Sequence, residues 1–378
     1  MLKKETWRHF DFLLFGAVLL LCIFGIVMIQ SAVAGSPGLA NTVRNQIIFV
    51  VVGVVIILVL AVINYHTWFS TTKLLYGIIL ALLIGIYFFG NNLFGSRRWF
   101  TFAGISIQPS ELAKIVLIIT LAGYFASTVD KPHNLKWILT SLGLTLGIMV
   151  WIAIQPNLST TILMLVLWFA LVWIAGLKLK YVILLGSVMT VLVGIIFAQF
   201  VSVGGSQEQS WIQPYQMRRI INFVSSDEEA AQGEKYNVEQ ALITIGSGGW
   251  FGAGYGSGTQ VQLRFLKVRH TDFIFSAMAE EFGFVGTTVV VLLLLFVVFR
   301  IVHIARNALD TFGALIAYGV AVLIFFQMAV NIGVNLNLLP VTGLTLPFIS
   351  SGGSSLLSLV LGIGLVESVA VHSHTLEF

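Results

Sequence analysis

Residues 137–177 read WILTSLGLTLGIMVWIAIQPNLSTTILMLVLWFALVWIAGL, 41 consecutive positions without Asp, Glu, Lys or Arg. A membrane-spanning helix needs about 20 apolar residues. The stretch therefore holds two spans. Gln155-Pro156-Asn157 separates them, because proline disfavours helical backbone in the residue before it. A second charge-free run, 311–366, is divided in the same way by residues 331–347. Working outward, ten apolar spans are predicted at 11–32, 46–64, 74–90, 111–128, 137–154, 159–175, 181–200, 272–299, 311–331 and 349–370. The apolar runs are continuous rather than alternating, which argues against a transmembrane β-barrel. The expected fold class is an all-α polytopic integral membrane protein forming one domain over residues 1–378.

Composition agrees. Hydrophobic residues make up 58% of the 378 and charged residues 10%, against about 25% charged in soluble domains. A mean hydropathy of +0.97 excludes a water-soluble globular domain and a disordered chain. The single cysteine, Cys22, excludes a disulfide framework and a Cys-based zinc site. No basic patch points to nucleic acid.

Ten spans put both termini on one side. With the N-terminus inside, Lys3, Lys4, Arg8, Lys73, Lys131, Lys136, Lys178, Lys180, Arg300 and Arg306 face the cytoplasm, and the short outer loops hold only Arg44, Arg97 and Arg98. That bias predicts cytoplasmic termini. Ala32-Val33-Ala34 imitates a signal-peptidase site, but the apolar run before it is long for a signal peptide and reads as a retained anchor. Residues 201–270 form one long extracytoplasmic loop, an unusual length that suggests a functional segment.

A charge in the hydrocarbon core costs about 2.5 kcal/mol or more unless it is paired or hydrated. The few intramembrane charges are therefore informative: Glu111, Lys114, Asp272, Glu280, Glu281 and Glu367. Glu111 and Lys114 are three apart, close enough to pair on one helical face. Such a pair is either a helix-closing contact or the charged wall of a cavity. Asp272 opens the eighth span after Arg269-His270-Thr271. An acidic residue suits a first helical turn, and a carboxylate at the outer surface also suits proton abstraction. Asp272, Ser276, Ala279 and Gly283 are expected on one face. Glu280-Glu281, about 12 Å further along at 1.5 Å per residue, read as structural. The glycine run 246–258 lacks the Gly-Lys-Ser/Thr of a P-loop and is either a flexible loop or a re-entrant segment. Ser350-Ser351-Gly352-Gly353-Ser354-Ser355 opens the last span, as helix capping or as a phosphate-binding helix start. Arg97-Arg98-Trp99 is either an interfacial anchor or a phosphate contact. His270, His303, His372 and His374 have no metal-ligand spacing.

Several of these motifs together resemble the SEDS (shape, elongation, division and sporulation) family. They are Gln108-Pro109-Ser110-Glu111-Leu112-Ala113-Lys114, Ile245-Gly246-Ser247-Gly248-Gly249, His270-Thr271-Asp272-Phe273-Ile274-Phe275, Glu280-Glu281-Phe282-Gly283, Pro340-Val341-Thr342-Gly343-Leu344, and Pro347-Phe348 with Gly352-Gly353-Ser354-Ser355. They run in family order over nearly the whole chain. The resemblance implies a ten-span peptidoglycan glycosyltransferase of the bacterial plasma membrane, active on the extracytoplasmic side. It implies polymerisation of lipid II into nascent glycan beside a class B penicillin-binding protein. The short tails resemble the elongation branch, RodA, more than the division branch, FtsW.

By the same resemblance Asp272 is the expected catalytic residue. Glu111, Lys114, Arg98, Trp99, His270 and Ser354 are the expected substrate contacts. A divalent cation such as Mg²⁺ would offset the charge of the leaving diphosphate. Two departures stand out. Lys267-Val268 replaces the family's Pro-Glu, and Ser350-Ser351-Gly352-Gly353 replaces its Ser-Tyr-Gly-Gly. A lipid-linked-precursor flippase and a non-catalytic scaffold for the transpeptidase are the alternative functions.

Overall fold

The computed structural model describes residues 8–93, 96–102, 105–155, 157–178, 180–184, 186–187 and 234–373. The helices are α1 Phe12–Val33, α2 Ala40–Val62, α3 His66–Phe89, α4 Pro109–Ala126, α5 Leu135–Ile154, α6 Leu158–Ile174, α7 Glu234–Ser247, α8 Thr259–Gln262, α9 Ile274–Arg306, α10 Thr311–Asn335 and α11 Gly353–His372. Among the described residues eight helices are long and apolar enough to cross a membrane, and α6 is a shorter apolar helix. They match nine of the ten expected spans. Most of the span expected at 181–200 lies outside the described residues, as does 201–233 of the expected loop.

Helix ends follow side-chain chemistry. Asp11 caps α1 by accepting from Leu14 N, Asn134 caps α5 from Trp137 N, and Asp310 caps α10 from Gly313 N. Pro109 sits at the start of α4, where its missing N–H costs nothing. Gln155 and Asn157 close α5 and cap α6, the break expected from the sequence.

The bundle sorts by enclosure. In α11 and α4, 83% and 78% of the membrane-length window is buried, against 17% in α3, so the first two are core and α3 is rim. Leu74, Ile78, Phe88 and Phe89 of α3 are exposed, as expected of a face solvated by lipid rather than water. α11 packs along α2, and α10 lies against α4, α6, α9 and α11.

One departure from the all-helical expectation lies between α3 and α4. Strands β1 Asn91–Leu93, β2 Ser96–Phe102 and β3 Ile105–Ile107 form an antiparallel meander. The segment is too short to cross a bilayer, and pairing with itself satisfies its backbone.

The glycine-rich stretch after α7 is built into the bundle. At Gly283, with φ +66° and ψ −168°, α9 leaves helical geometry. The bonds it loses there are replaced from the loop. The amides of Ala253 and Gly254 donate to the carbonyls of Glu280 and Glu281 at 2.8 and 3.0 Å. The amides of Phe284 and Val285 donate to Gly249 and Trp250 at 2.9 and 3.1 Å. A side chain at Gly283 would overlap the backbone of Phe251 and Gly252, so only glycine fits. The break also means that Gly283 does not continue the helical face expected through Ser276 and Ala279.

At the end carrying the N-terminal segment, Arg300 Nη2 pairs with Asp11 Oδ2 at 2.5 Å, and Asp11 N donates to Glu367 Oε2 at 3.0 Å. This joins the start of α1 to the far ends of α9 and α11.

Candidate active site

Asp272 lies at the opposite end, in the turn just before α9, whose N-cap is Phe273. The helix thus starts two residues later than the sequence suggested. Asp272 is half-buried. The backbone around it is tied at every carbonyl. His270 O accepts from Ser351 N at 2.9 Å and Thr271 O from Ser350 Oγ at 2.8 Å. Asp272 O accepts from Asn335 Nδ2 at 2.9 Å and Asn331 Nδ2 at 3.1 Å. A methyl at Gly343, where φ is +76°, would lie 3.9 Å from Asp272 Oδ2.

Arg269 anchors this turn to the end of α1. Its guanidinium donates to Ala32 O at 2.5 Å, Ser36 Oγ at 3.2 Å and Leu266 O at 3.3 Å. A cation there also meets the negative end of the helix dipole. His270 is largely enclosed. Burial, and secondarily the Arg269 charge, hold its imidazole below the ordinary histidine range, so the ring is neutral at pH 7. Val268 O accepts from Thr271 N and Phe273 N, while Lys267 Nζ lies 6.0 Å from the Tyr236 ring centre.

Glu111 and Lys114 pair as their spacing predicted. Lys114 Nζ is 2.6 Å from Glu111 Oε2, with Lys114 0% and Glu111 8% exposed. Ser358 Oγ of α11 donates to the same carboxylate oxygen at 3.4 Å. Ser354 accepts from Gln108 N at 3.0 Å and donates to Ser106 O at 3.1 Å, latching α11 to β3 and the start of α4. Arg98 Nε donates to Gln155 O at 2.7 Å, docking β2 on the α5–α6 turn. Trp99, half-buried, is paired in register with Asn91.

Residues 344–358 join the two centres. Their serines hold the carbonyls of His270 and Thr271 at one end and Glu111 at the other. Asn331 and Asn335 were not among the sequence candidates. The signal was present: two amides one turn apart in an otherwise apolar span need buried partners. Among the described residues no group of three or more His, Cys, Asp or Glu is placed to hold a metal.

A family model, FTSW_RODA_SPOVE, Cell cycle protein, matches residues 11–375. The probable peptidoglycan glycosyltransferase FtsW of Francisella salina is 36% identical, over 97% of this chain and 91% of its own. The peptidoglycan glycosyltransferase MrdB of Escherichia coli K12 is 34% identical, over 99% and 98%. Among solved structures, Thermus thermophilus RodA is 29% identical, covers 96% of each chain and has a TM-score of 0.68. A chain from a peptidoglycan synthase complex, solved for how it coordinates polymerization and crosslinking, is 28% identical, covers 97% and 99%, and has a TM-score of 0.81. The motifs at 108–114, 245–249, 270–275, 280–283 and 340–355 thus sit in a chain matched almost end to end, which belongs to the FtsW/RodA/SpoVE family of cell cycle proteins.

Proposed function

We propose that this protein is a peptidoglycan glycosyltransferase that polymerises lipid II at the outer face of the bacterial plasma membrane, with Asp272 as the general base. The observation that carries the reading is the half-buried carboxylate at one end of the bundle, on a turn where the carbonyls of His270, Thr271 and Asp272 and the flanking Arg269 are all held by hydrogen bonds. The charge bias of the short loops supports an extracytoplasmic position for that end.

Lipid II carries a polyprenyl tail, a diphosphate and a disaccharide-peptide. Its reacting bond lies at the membrane surface. Asp272 takes the proton from the C4 hydroxyl of the acceptor GlcNAc. That oxygen attacks the anomeric carbon of the growing chain, and the bond to polyprenyl diphosphate breaks. The α-linked donor gives a β-linked product, so the configuration inverts. One base is enough, because diphosphate leaves as a stabilised anion. Inverting hydrolases use two carboxylates.

Glu111 and Lys114 are the second part of the site. Lys114 is enclosed, so it fixes Glu111 and meets the diphosphate only when the α4–α11 interface opens. Arg98, Trp99, His270 and Ser354 remain proposed substrate contacts at the same end. A divalent cation such as Mg²⁺ remains part of the proposal, as a companion that would offset the charge of the diphosphate. Polymerisation that stops in EDTA would support it, and polymerisation unchanged by EDTA would remove it.

The partner in this reading is a class B penicillin-binding protein, supported by the likeness to the synthase-complex chain. Elongation is the branch proposed for this protein, and the likeness to Thermus thermophilus RodA supports that reading. The decisive experiment supplies lipid II to the purified complex. Glycan polymer supports the enzyme. Labelled lipid crossing proteoliposomes without polymer favours a flippase, and an intact but inert complex favours a scaffold.

A further inference from the structure

Asn331 and Asn335 take no part in the chemistry above, yet both converge on the backbone of the proposed base. They lie one turn apart on α10 and are 1% and 0% exposed. A carbonyl oxygen has two lone pairs, and at Asp272 each is met by an amide from this pair, at 2.9 and 3.1 Å. Asn335 Oδ1 accepts from the amide and hydroxyl of Ser276, at 3.1 and 2.6 Å, fixing the first turn of α9. Asn331 Nδ2 also reaches Leu344 O at 2.8 Å, which sets the turn that brings Gly343 beside the Asp272 carboxylate. Asn335 Nδ2 in turn donates to the Asn331 backbone carbonyl at 2.9 Å and to Asn331 Oδ1 at 3.4 Å, so the two residues form one connected network.

We infer that Asn331 and Asn335 are positioning residues for glycosyl transfer, holding the Asp272 peptide plane so that its carboxylate meets the acceptor hydroxyl in one fixed orientation. The inference rests on Asp272 being the base. Its physical ground is that a displacement of about 1 Å at a reacting group costs about 10²-fold in rate. Plain packing between α9 and α10 would use the same bonds, but it would register as stability alone.

The test uses the purified membrane complex with its transpeptidase partner, lipid II as substrate, and the variants Asn331→Ala, Asn335→Ala and Asn335→Asp. The expected result is a fall in kcat of about 10- to 100-fold with KM for lipid II within about 3-fold of the parent. Asn335→Asp keeps the acceptor for Ser276 but sets a negative charge beside Asp272. The acid limb of its kcat profile should therefore move to higher pH. A third readout needs no activity: amide hydrogen exchange across 270–277 should quicken in Asn335→Ala while the far half of α9 is unchanged. If Asn335→Ala does not fold, Asn331→Ala, which leaves the Ser276 bonds in place, carries the test. Unchanged kcat in Asn331→Ala overturns the inference. So does a kcat loss that only tracks loss of folded protein with the acid limb unmoved. Should the parent complex make no polymer, the base assignment fails first. Quickened exchange would then mark the asparagines as fold residues only, and unchanged exchange would dissolve the clamp altogether.

Discussion

Asp272 and the pair Glu280-Glu281 share one stretch of chain, yet the fold encloses and holds them differently. At Asp272 the fold holds the backbone, through Asn331, Asn335, Ser350 and Ser351, and the side chain sits half-buried beside Gly343. At Glu280 the fold holds the carboxylate itself. It accepts from Gln260 N at 2.8 Å, Val261 N at 3.1 Å and Thr259 Oγ1 at 3.3 Å, an anion at the start of α8. Glu281 bonds Ser31 of α1. Glu280 is buried and ties the start of α8 to α9. Asp272 sits half-buried on a fixed peptide, the placement the proposed base requires.

The largest expected effect tests that contrast directly. Asp272→Asn keeps the shape and removes the base, and should lower polymerisation by about 10²–10⁴-fold with thermal stability and partner binding retained. Full polymerisation by that variant would end the distinction. Next, Lys114→Met leaves Glu111 as an uncompensated buried charge and should destabilise by about 3–5 kcal/mol. Glu111→Gln with Lys114→Met should recover most of that stability while remaining inactive. Recovered activity in the double variant would make the pair structural, like Glu280.

Glu280→Gln comes third. It sets an amide against backbone donors, and a loss of about 2–3 kcal/mol is expected in unfolding measurements, with residual kcat per folded molecule near the parent's. A specific kcat collapse would blur the comparison. The smallest effect concerns His270. Its folded state resists protonation more than the unfolded chain, whose histidine titrates near 6.5. Stability from this group is present above that value and is lost as pH falls below it. The melting temperature should therefore decline on acidification below about pH 6.5 less steeply in His270→Gln than in the parent.

Much of this was legible in the chain. The Glu111–Lys114 pair followed from a spacing of three, and the α5–α6 break from Gln155 and Asn157. The glycine run was legible as a choice between surface loop and re-entrant segment. Its bonds to the α9 break at Gly283 decide for a segment woven into the bundle. Ser354 read as a phosphate contact, and its hydroxyl also latches β3 to α11, a pairing 248 residues apart that no local pattern encodes. The β meander escaped because its strands are short and show no clean alternation of apolar and polar residues.

The sequence by itself determined the spans, their order and the short roster of charges inside them. A helix satisfies its backbone within the segment, so about 20 apolar residues are enough to declare it. Tertiary structure alone decided that Ser358 of α11 bonds Glu111, and which two asparagines grip the turn before α9. Those facts depend on donors and acceptors 59 to 247 positions apart, and only packing brings them within reach.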